Sequence, residues 1–343
     1  MDSPARIAMV GVDHWYSAIP LAQEVAARAD TELVAVADPD RDRAEEVVAK
    51  AGRGRATSDA EELLADPSVD LIASFTSTER NPAICLAAAR AGKHLLSIKP
   101  VARTLDEAAE VVRAVRSAGV AFFPAESQLR TTAMNQQIRT WLDEGRLGQV
   151  RTASYSLWSS LPQGWAGVSD PGWFTDPERA PGGGWIDHAI YHLDQLRWLL
   201  RAEVRSVRGT AASLKYPDLG LEDYGLAVVA FDNGVIARIE DTWLASPGGG
   251  RQTMSLVGTD GAVAYDSLSG RLSLTGMGET HEGWVHLSPP SGRGSVLERL
   301  VATVRGEADP LATVDDAWHN LAACRAFYES TATWVAVTPA PLP

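Results

Sequence analysis

The chain has 343 residues, 45% hydrophobic and 22% charged, an ordinary globular composition and enough length for two domains or one large one. A net charge of −13 argues against nucleic acid as a partner, because phosphate recognition needs a basic face. Two distant cysteines (Cys85 and Cys324), no zinc-like Cys/His spacing, no leader-like N-terminus and no membrane-length apolar run predict a cytoplasmic chain without disulfide, metal or membrane contact.

From the N-terminus, Arg6–Val10 predicts a short buried strand that turns at Gly11. Helical periodicity follows over Ser17–Ala29, then a second apolar strand over Glu32–Ala37 that ends at Asp38. Strand, turn, helix, strand and acid is the order of a dinucleotide-binding unit, in which the acid holds ribose hydroxyls. A carboxylate at Asp38 repels a 2′-phosphate, so NAD is expected over NADP, with Arg41 and Arg43 slightly weakening that preference. The turn departs from G-x-G-x-x-G: it reads G-V-D-H-W-Y, and only Gly11 remains. Asp13 stands where a glycine lets the backbone approach a pyrophosphate, and Tyr16 adds bulk where helix and sheet pack closely. Asp13, His14 and Trp15 are the residues that would rebuild this loop around another contact.

The alternation continues with helices over Arg41–Lys50 and Ala60–Leu64, then a strand over Leu71–Phe75 with Thr76-Ser77-Thr78 at its carboxyl end. A helix over Asn81–Ala91 closes at Gly92 and leads into a strand over His94–Ile98. Pro100 cannot join a sheet ladder, and it biases Lys99 toward an extended backbone. An ammonium group is thereby delivered to the carboxyl end of a strand, where ligands bind in open α/β sheets; a surface lysine at a turn is the plain alternative. A helix over Leu105–Ala118 and a strand over Val120–Phe123 complete the repeated βα units. Such units with apolar strands predict a parallel, doubly wound sheet over residues 1–126.

In residues 127–343 the pattern changes. A helix over Asn135–Glu144 precedes a strand over Val150–Trp158. Strands over Val204–Lys215, Gly225–Asp232, Gly234–Thr242, Met254–Gly258, Gly261–Asp266 and Arg271–Thr275 follow at short spacing, with a hairpin turn at Asp232-Asn233-Gly234. This predicts an α+β domain with an open, mostly antiparallel sheet, finished by a helix over Val314–Thr331. Between its first two strands lies a tryptophan-rich segment with Gly182-Gly183-Gly184. Trp165 and Trp173 are candidates to stack on sugar C–H faces, and core filling is the alternative for at least half of these tryptophans. Arg130, just past the domain boundary, is a further candidate substrate residue. After the glycines, a helix carries Asp187, Tyr191 and Asp194 on one face and His188 and His192 on the neighbouring one. A carboxylate beside a phenol could move a proton; the histidine pair lacks the third ligand a metal needs.

Together these stretches resemble the Gfo/Idh/MocA family of oxidoreductases over nearly the whole chain, on E-L-V-A-V-A-D-P-D, A-G-K-H-L-L-S-I-K-P and G-G-G-W-I-D-H-A-I-Y-H-L-D. The resemblance implies an N-terminal Rossmann domain joined to a C-terminal α+β domain. Members carry E-K-P where this chain has Ile98-Lys99-Pro100, so the lysine role falls on Lys99. Their D-x-G-x-H-x-x-D places its aspartates on Asp187 and Asp194 and its catalytic histidine on Tyr191, a swap that some members share, with His192 as a rival one residue on. The Thr-Pro after the third strand is matched at Thr76 but not at Ser77, and a histidine just beyond becomes Asn81. Gly11, Asp38, Thr76, Ser77, Asn81 and Lys99 thus join the altered loop as cofactor-binding candidates.

The resemblance implies an NAD-dependent dehydrogenase for a sugar, polyol or cyclitol. Tyr191 would be its acid/base, Lys99 would lower the phenol's pKa and stabilise charge on the reacting oxygen, and Asp187 would orient Tyr191 or a substrate hydroxyl. A hydrolase or lyase that cycles a tightly held NAD, and a sugar-binding homologue without catalysis, are the alternatives. The family also implies a homodimer or homotetramer formed through the C-terminal sheet.

Overall fold

The structure is a computed structural model and describes residues 3–276, 283–290 and 296–343. The first layer follows the βα order: β1 (Ala5–Val10), α1 (Trp15–Ala27), β2 (Thr31–Ala37), α2 (Arg41–Ala51), β3 (Arg55–Thr57), α3 (Ala60–Ala65), β4 (Leu71–Ser74), α4 (Asn81–Arg90), β5 (His94–Ser97), α5 (Leu105–Ala118) and β6 (Phe122–Pro124). The strands form one parallel sheet in the order β3-β2-β1-β4-β5-β6. Both faces are covered by helices, which is why the strands read as unbroken apolar runs. Local signals fix the helix ends. Asp40 caps α2 by accepting the amides of Asp42 and Arg43, and Thr104 with Glu107 makes a capping box on α5 that Gly119 closes in a left-handed conformation. The strand order reverses between β1 and β4, which opens a crevice at their carboxyl ends.

A 3₁₀ segment, Ala125–Thr131, leads to α6 (Ala133–Asp143), β7 (Val150–Trp158), α7 (Gly184–Leu200), β8 (Val204–Ala212), β9 (Tyr224–Phe231), β10 (Ile236–Thr242), β11 (Arg251–Gly258), β12 (Ala262–Asp266), β13 (Arg271–Thr275), β14 (Val285–Leu287), α8 (Val296–Val304) and α9 (Val314–Thr333). The second sheet runs β14-β13-β12-β11-β7-β10-β9-β8, antiparallel except where β7 pairs with β10. The hairpin between β9 and β10 turns at Gly234 with φ +88°. One face of the sheet packs under α7, where Trp185 stacks on Phe327 of α9 at 3.6 Å between ring centres.

The fold class is the expected one, an α/β layer plus an α+β layer. The sequence reading missed β3, β14 and α8, which are short or lack strong end signals. Leu297, Leu300 and Val301 of α8 pack into the core formed with α1, and Val314, Trp318 and Leu321 of α9 pack into the core formed with α5, so the chain's end returns to the first sheet. Among the described residues, no helix is long and apolar enough to cross a membrane.

Candidate active site

The crevice at the carboxyl ends of β1, β4 and β5 faces α7 of the second layer, and Lys99 bridges the two. Its ammonium donates to the Asp187 carboxylate at 2.8 Å and to the Asp187 carbonyl, and it lies 5.2 Å from the centre of the Tyr191 ring. The Lys99-Pro100 bond is cis. The other Asp187 oxygen accepts the Trp243 indole N–H at 3.0 Å, from the residue just after β10. Burial alone would lower Lys99, but Asp187, with Tyr191 and Glu126 adding to it, outweighs burial and holds the lysine above its usual value. Burial likewise pushes Asp187 up, yet the adjacent His188, the Lys99 ammonium and the Trp243 hydrogen bond bring it well below the usual carboxylate range. His14 and His188 sit beside this pair and stay neutral: burial lowers His14 to about 3 and His188 to about 4.

Tyr191 departs from expectation. Lys99 does favour its phenolate, but burial is the larger effect and raises the phenol above its ordinary value. At neutral pH the group is a proton donor rather than a ready base. His192, one residue on, is held from the sheet side: its Nδ1 lies 3.0 Å from Asp241 on β10, and its ring stacks on Tyr155 of β7 at 4.8 Å. Burial pushes Asp241 up to about 6, with His192 opposing. Lys99, Asp187, His188, Tyr191 and His192 all line a cavity of about 450 Å³, together with Gln128, Leu157, Ser160 and Gln252.

The altered loop is built around its own side chains. Gly11 has φ +76°, and a Cβ there would meet Thr76 at 2.4 Å, so this glycine serves the close approach of the β1 turn to β4. Asp13 accepts the Ser77 amide at 2.7 Å and pairs with Arg80 at 3.6 Å, which turns its charge toward β4 and partly neutralises it. Asp38 is buried and accepts the amides of Val12 and Asp40, both at 2.9 Å. The first turn of α1 has no side-chain cap and no acidic residue, which leaves a positive helix end. His14 is fully buried against Trp173 and Phe174 beside the backbone of Phe75 and Thr76, and the hydroxyls of Ser77 and Thr78 find no partner among the described residues. These features fit a dinucleotide: an acid for the ribose, an uncapped helix end for the pyrophosphate, and unpartnered polar atoms beside Lys99.

Other candidates fall elsewhere. Asn81 clamps strands: it accepts from Ser74 and donates to Ser97 and to the Val101 carbonyl, with no donor left for a ligand. Arg130 is bidentate on Asp194 at 2.6 and 2.9 Å and also holds Asp316, a buried tie between α7 and α9 outside the 450 Å³ cavity. Trp165 stands over the altered loop, near Trp15 and under the Arg43 guanidinium, and Trp15 donates to the Gln163 carbonyl. Trp173 walls a narrow cleft of about 20 Å³ next to Lys99 and Gly183. The glycine run is there for packing, since a Cβ on Gly183 would lie 2.0 Å from the Glu222 carbonyl. Trp243, Asp241 and Gln252 were not anticipated; they stand on or just past sheet strands with no local motif, and only the register of β10 and β11 against β7 brings them to the site.

Residues 5–126 match the model of an oxidoreductase family with an NAD-binding Rossmann fold, and residues 135–264 match the GFO/IDH/MocA C-terminal domain. The chain is 29% identical to 1,5-anhydro-D-fructose reductase of Ensifer adhaerens over 308 residues, 88% of this chain and 89% of that one. It is 28% identical to scyllo-inositol 2-dehydrogenase (NAD(+)) of Bacillus subtilis over 273 residues, 78% of this chain and 75% of the other. The fold superposes on the WlbA dehydrogenase of Bordetella pertussis, solved with NADH and UDP-GlcNAcA, with a TM-score of 0.83 at 22% identity, covering 100% and 99% of the two chains.

Proposed function

Because the chain belongs to the Gfo/Idh/MocA family of oxidoreductases, we propose that it interconverts a hydroxyl and a carbonyl on a sugar, polyol or cyclitol, with NAD as the hydride carrier. The observation that carries this reading is the buried Lys99–Asp187 pair beneath the Tyr191 ring, facing a cavity of about 450 Å³. Asp38 would hold the ribose, the α1 end the pyrophosphate, and Thr76, Ser77 and Thr78 the inner part of the dinucleotide. Tyr191, kept protonated by burial, gives its proton to the substrate oxygen in the reducing direction; in the oxidising direction its phenolate form, which Lys99 favours, takes the proton of the substrate hydroxyl. Lys99 stabilises the negative charge on that oxygen at the transition state. Asp187 and Trp243 fix the ammonium, so no reorganisation is needed as charge develops. The relatives named for anhydrofructose and scyllo-inositol support the substrate class.

A second reading gives the proton to His192. The Asp241 carboxylate 3.0 Å from its Nδ1 favours it, since such a contact fixes the ring's tautomer and orientation. The outer face of the second sheet, with Val228, Ile236 and Val257 exposed, is the surface we assign to pairing with a second copy.

The test begins with the nicotinamide content of the purified protein. Calorimetric titration with NAD⁺, NADH, NADP⁺ and NADPH follows, then a screen of sugars and cyclitols for NADH formation. Binding of NAD(H) that is lost in Asp38→Ala, with turnover of a member of the panel, supports the proposal. NAD that stays bound while product forms without net NADH moves the activity to redox-cycled hydrolysis or elimination. No binding of any form by folded protein overturns both.

A further inference from the structure

Next to the 450 Å³ cavity lies a second one of about 330 Å³, and the two share Leu129 and Gln252 in their walls. The sheet register shows how they adjoin. Leu157 pairs with Gln252 at the first cavity, and two residues along the same face Tyr155 pairs with Met254 at the second. That step is about 7 Å along the strand. On α7 the corresponding step runs from Tyr191 to Gln195, one helical turn. A substrate held over Lys99 and Tyr191 can therefore extend by one ring along α7 and β7 into the second cavity.

The chemistry of that wall is uncharged. Its lining among the described residues contains no Asp, Glu, Lys, Arg or His. Met134, Met254 and Tyr265 supply apolar surface suited to sugar C–H faces. Asn135 and Gln195 supply amides, and the Gln195 amide nitrogen donates to Asn135 at 2.6 Å. Two polar atoms are left over: the Tyr155 hydroxyl and the Gln195 carbonyl oxygen are buried and have no partner among the described residues. A neutral donor and a neutral acceptor left unpaired beside a cavity are costly unless a ligand group meets them.

We propose that this second cavity is a subsite for an uncharged second ring, so that the substrate is a disaccharide or other neutral glycoside rather than a free monosaccharide, a sugar phosphate or a nucleotide sugar. The inference rests on the sugar-oxidoreductase reading and narrows it. Among the described residues a phosphate or carboxylate entering this wall would meet no cation, whereas hydroxyls would have the Tyr155 and Gln195 atoms to pair with.

The experiment compares kcat/KM with NAD⁺ for D-glucose and D-galactose, for maltose, cellobiose and lactose, and for D-glucose 6-phosphate. It is run on the wild type, on Met134→Trp, which fills the cavity, and on Tyr155→Phe, with thermal melts to show that each variant is folded. We expect at least one disaccharide to exceed its free monosaccharide by about tenfold or more. Met134→Trp should bring that ratio close to one, and Tyr155→Phe should lower it by a smaller factor. Equal use of free monosaccharides, preference for the phosphate, or a ratio untouched by both variants overturns the subsite while leaving the oxidoreductase reading intact. If no sugar is turned over, calorimetry with the same disaccharides decides. Binding weakened by Met134→Trp keeps the subsite and discards the proposed reaction, and absence of binding discards both.

Discussion

Glu126 offers a test that needs no substrate. It lies in the 3₁₀ segment between the two layers, fully buried, with one carboxyl oxygen 3.4 Å from the Asn320 amide and the other without a partner among the described residues. Burial, then the Asp194 charge, pushes its pKa from 4.5 to about 8. The sign follows from proton counting. Between these values the folded protein keeps a proton that the unfolded chain releases, so stability is greatest below the unfolded value and falls as pH rises toward the folded one. The slope is about 1.4 kcal/mol per pH unit, which gives a loss of about 3 to 4 kcal/mol between pH 5 and pH 8. Glu126→Gln has the shape of the protonated acid and cannot ionise. Urea denaturation of both proteins at unit pH steps from 5 to 8 isolates the effect, because every other titrating group is common to the pair. The variant should gain on the wild type as pH rises, through the denaturation midpoint at constant slope. Parallel stability curves across this range would show that Glu126 ionises in the folded protein and would refute the argument.

Three further outcomes follow from the site. Tyr191→Phe should lower kcat by about 10² to 10⁴ while calorimetric NAD affinity is retained; near-normal turnover would transfer the proton role to His192. Lys99→Met strands the buried Asp187 charge and should cost about 3 to 5 kcal/mol in urea denaturation, most of it recovered on adding Asp187→Asn; a neutral single substitution would show that the pair is solvated. If His192 is the proton carrier, the kcat/KM profile of the wild type should fall as pH drops through about 6, where Asp241 takes up a proton, and Asp241→Asn should remove that limb. The groups facing this pair are Tyr155 on β7, Glu240 on β10 and Asp187 and His188 on α7, and an unchanged acidic limb in Asp241→Asn would show that Asp241 is not its source.

The inner strands of the parallel layer were legible because they are buried on both faces and bounded by a turn or a cap, whereas β3, a three-residue edge strand that is partly exposed, was not. Lys99 and Asp187 were legible for a related reason: a proline after one and a glycine run before the other mark the ends of elements, and element ends are where a crevice forms. Arg130 and Asn81 misled because an arginine or asparagine near a strand end reads the same whether it faces a ligand or a neighbouring strand; here Asp194, Asp316, Ser74 and Ser97 consume their hydrogen bonds. Asp241, Trp243 and Gln252 lie far along the chain from Lys99, and no local pattern encodes the pairing of β10 and β11 with β7. The loop Gly11–Tyr16 was read as damaged because a carboxylate replaced a glycine. Its cost falls once Asp13 is seen bonded to the Ser77 amide and paired with Arg80, a tertiary contact that linear spacing does not contain.

The charge state of the pocket ties these observations to the reaction. Lys99 and Asp187 carry opposite charges and cancel, while His14, His188 and Tyr191 are held neutral by burial. The wall around the reacting position is thus close to neutral as a whole, with one positive end aimed at the cavity. A neutral substrate enters such a site without having to shed a counter-ion, and the ammonium gains strength only as the substrate oxygen becomes negative. That differential, stronger at the transition state than in the ground state, is what raises kcat rather than merely lowering KM. A permanently anionic substrate would instead bind the ammonium before reaction and lose that advantage. The balance of charge in the first cavity and the described residues of its neighbour's wall, none of them charged, both favour the proposed substrate, an uncharged carbohydrate longer than one ring.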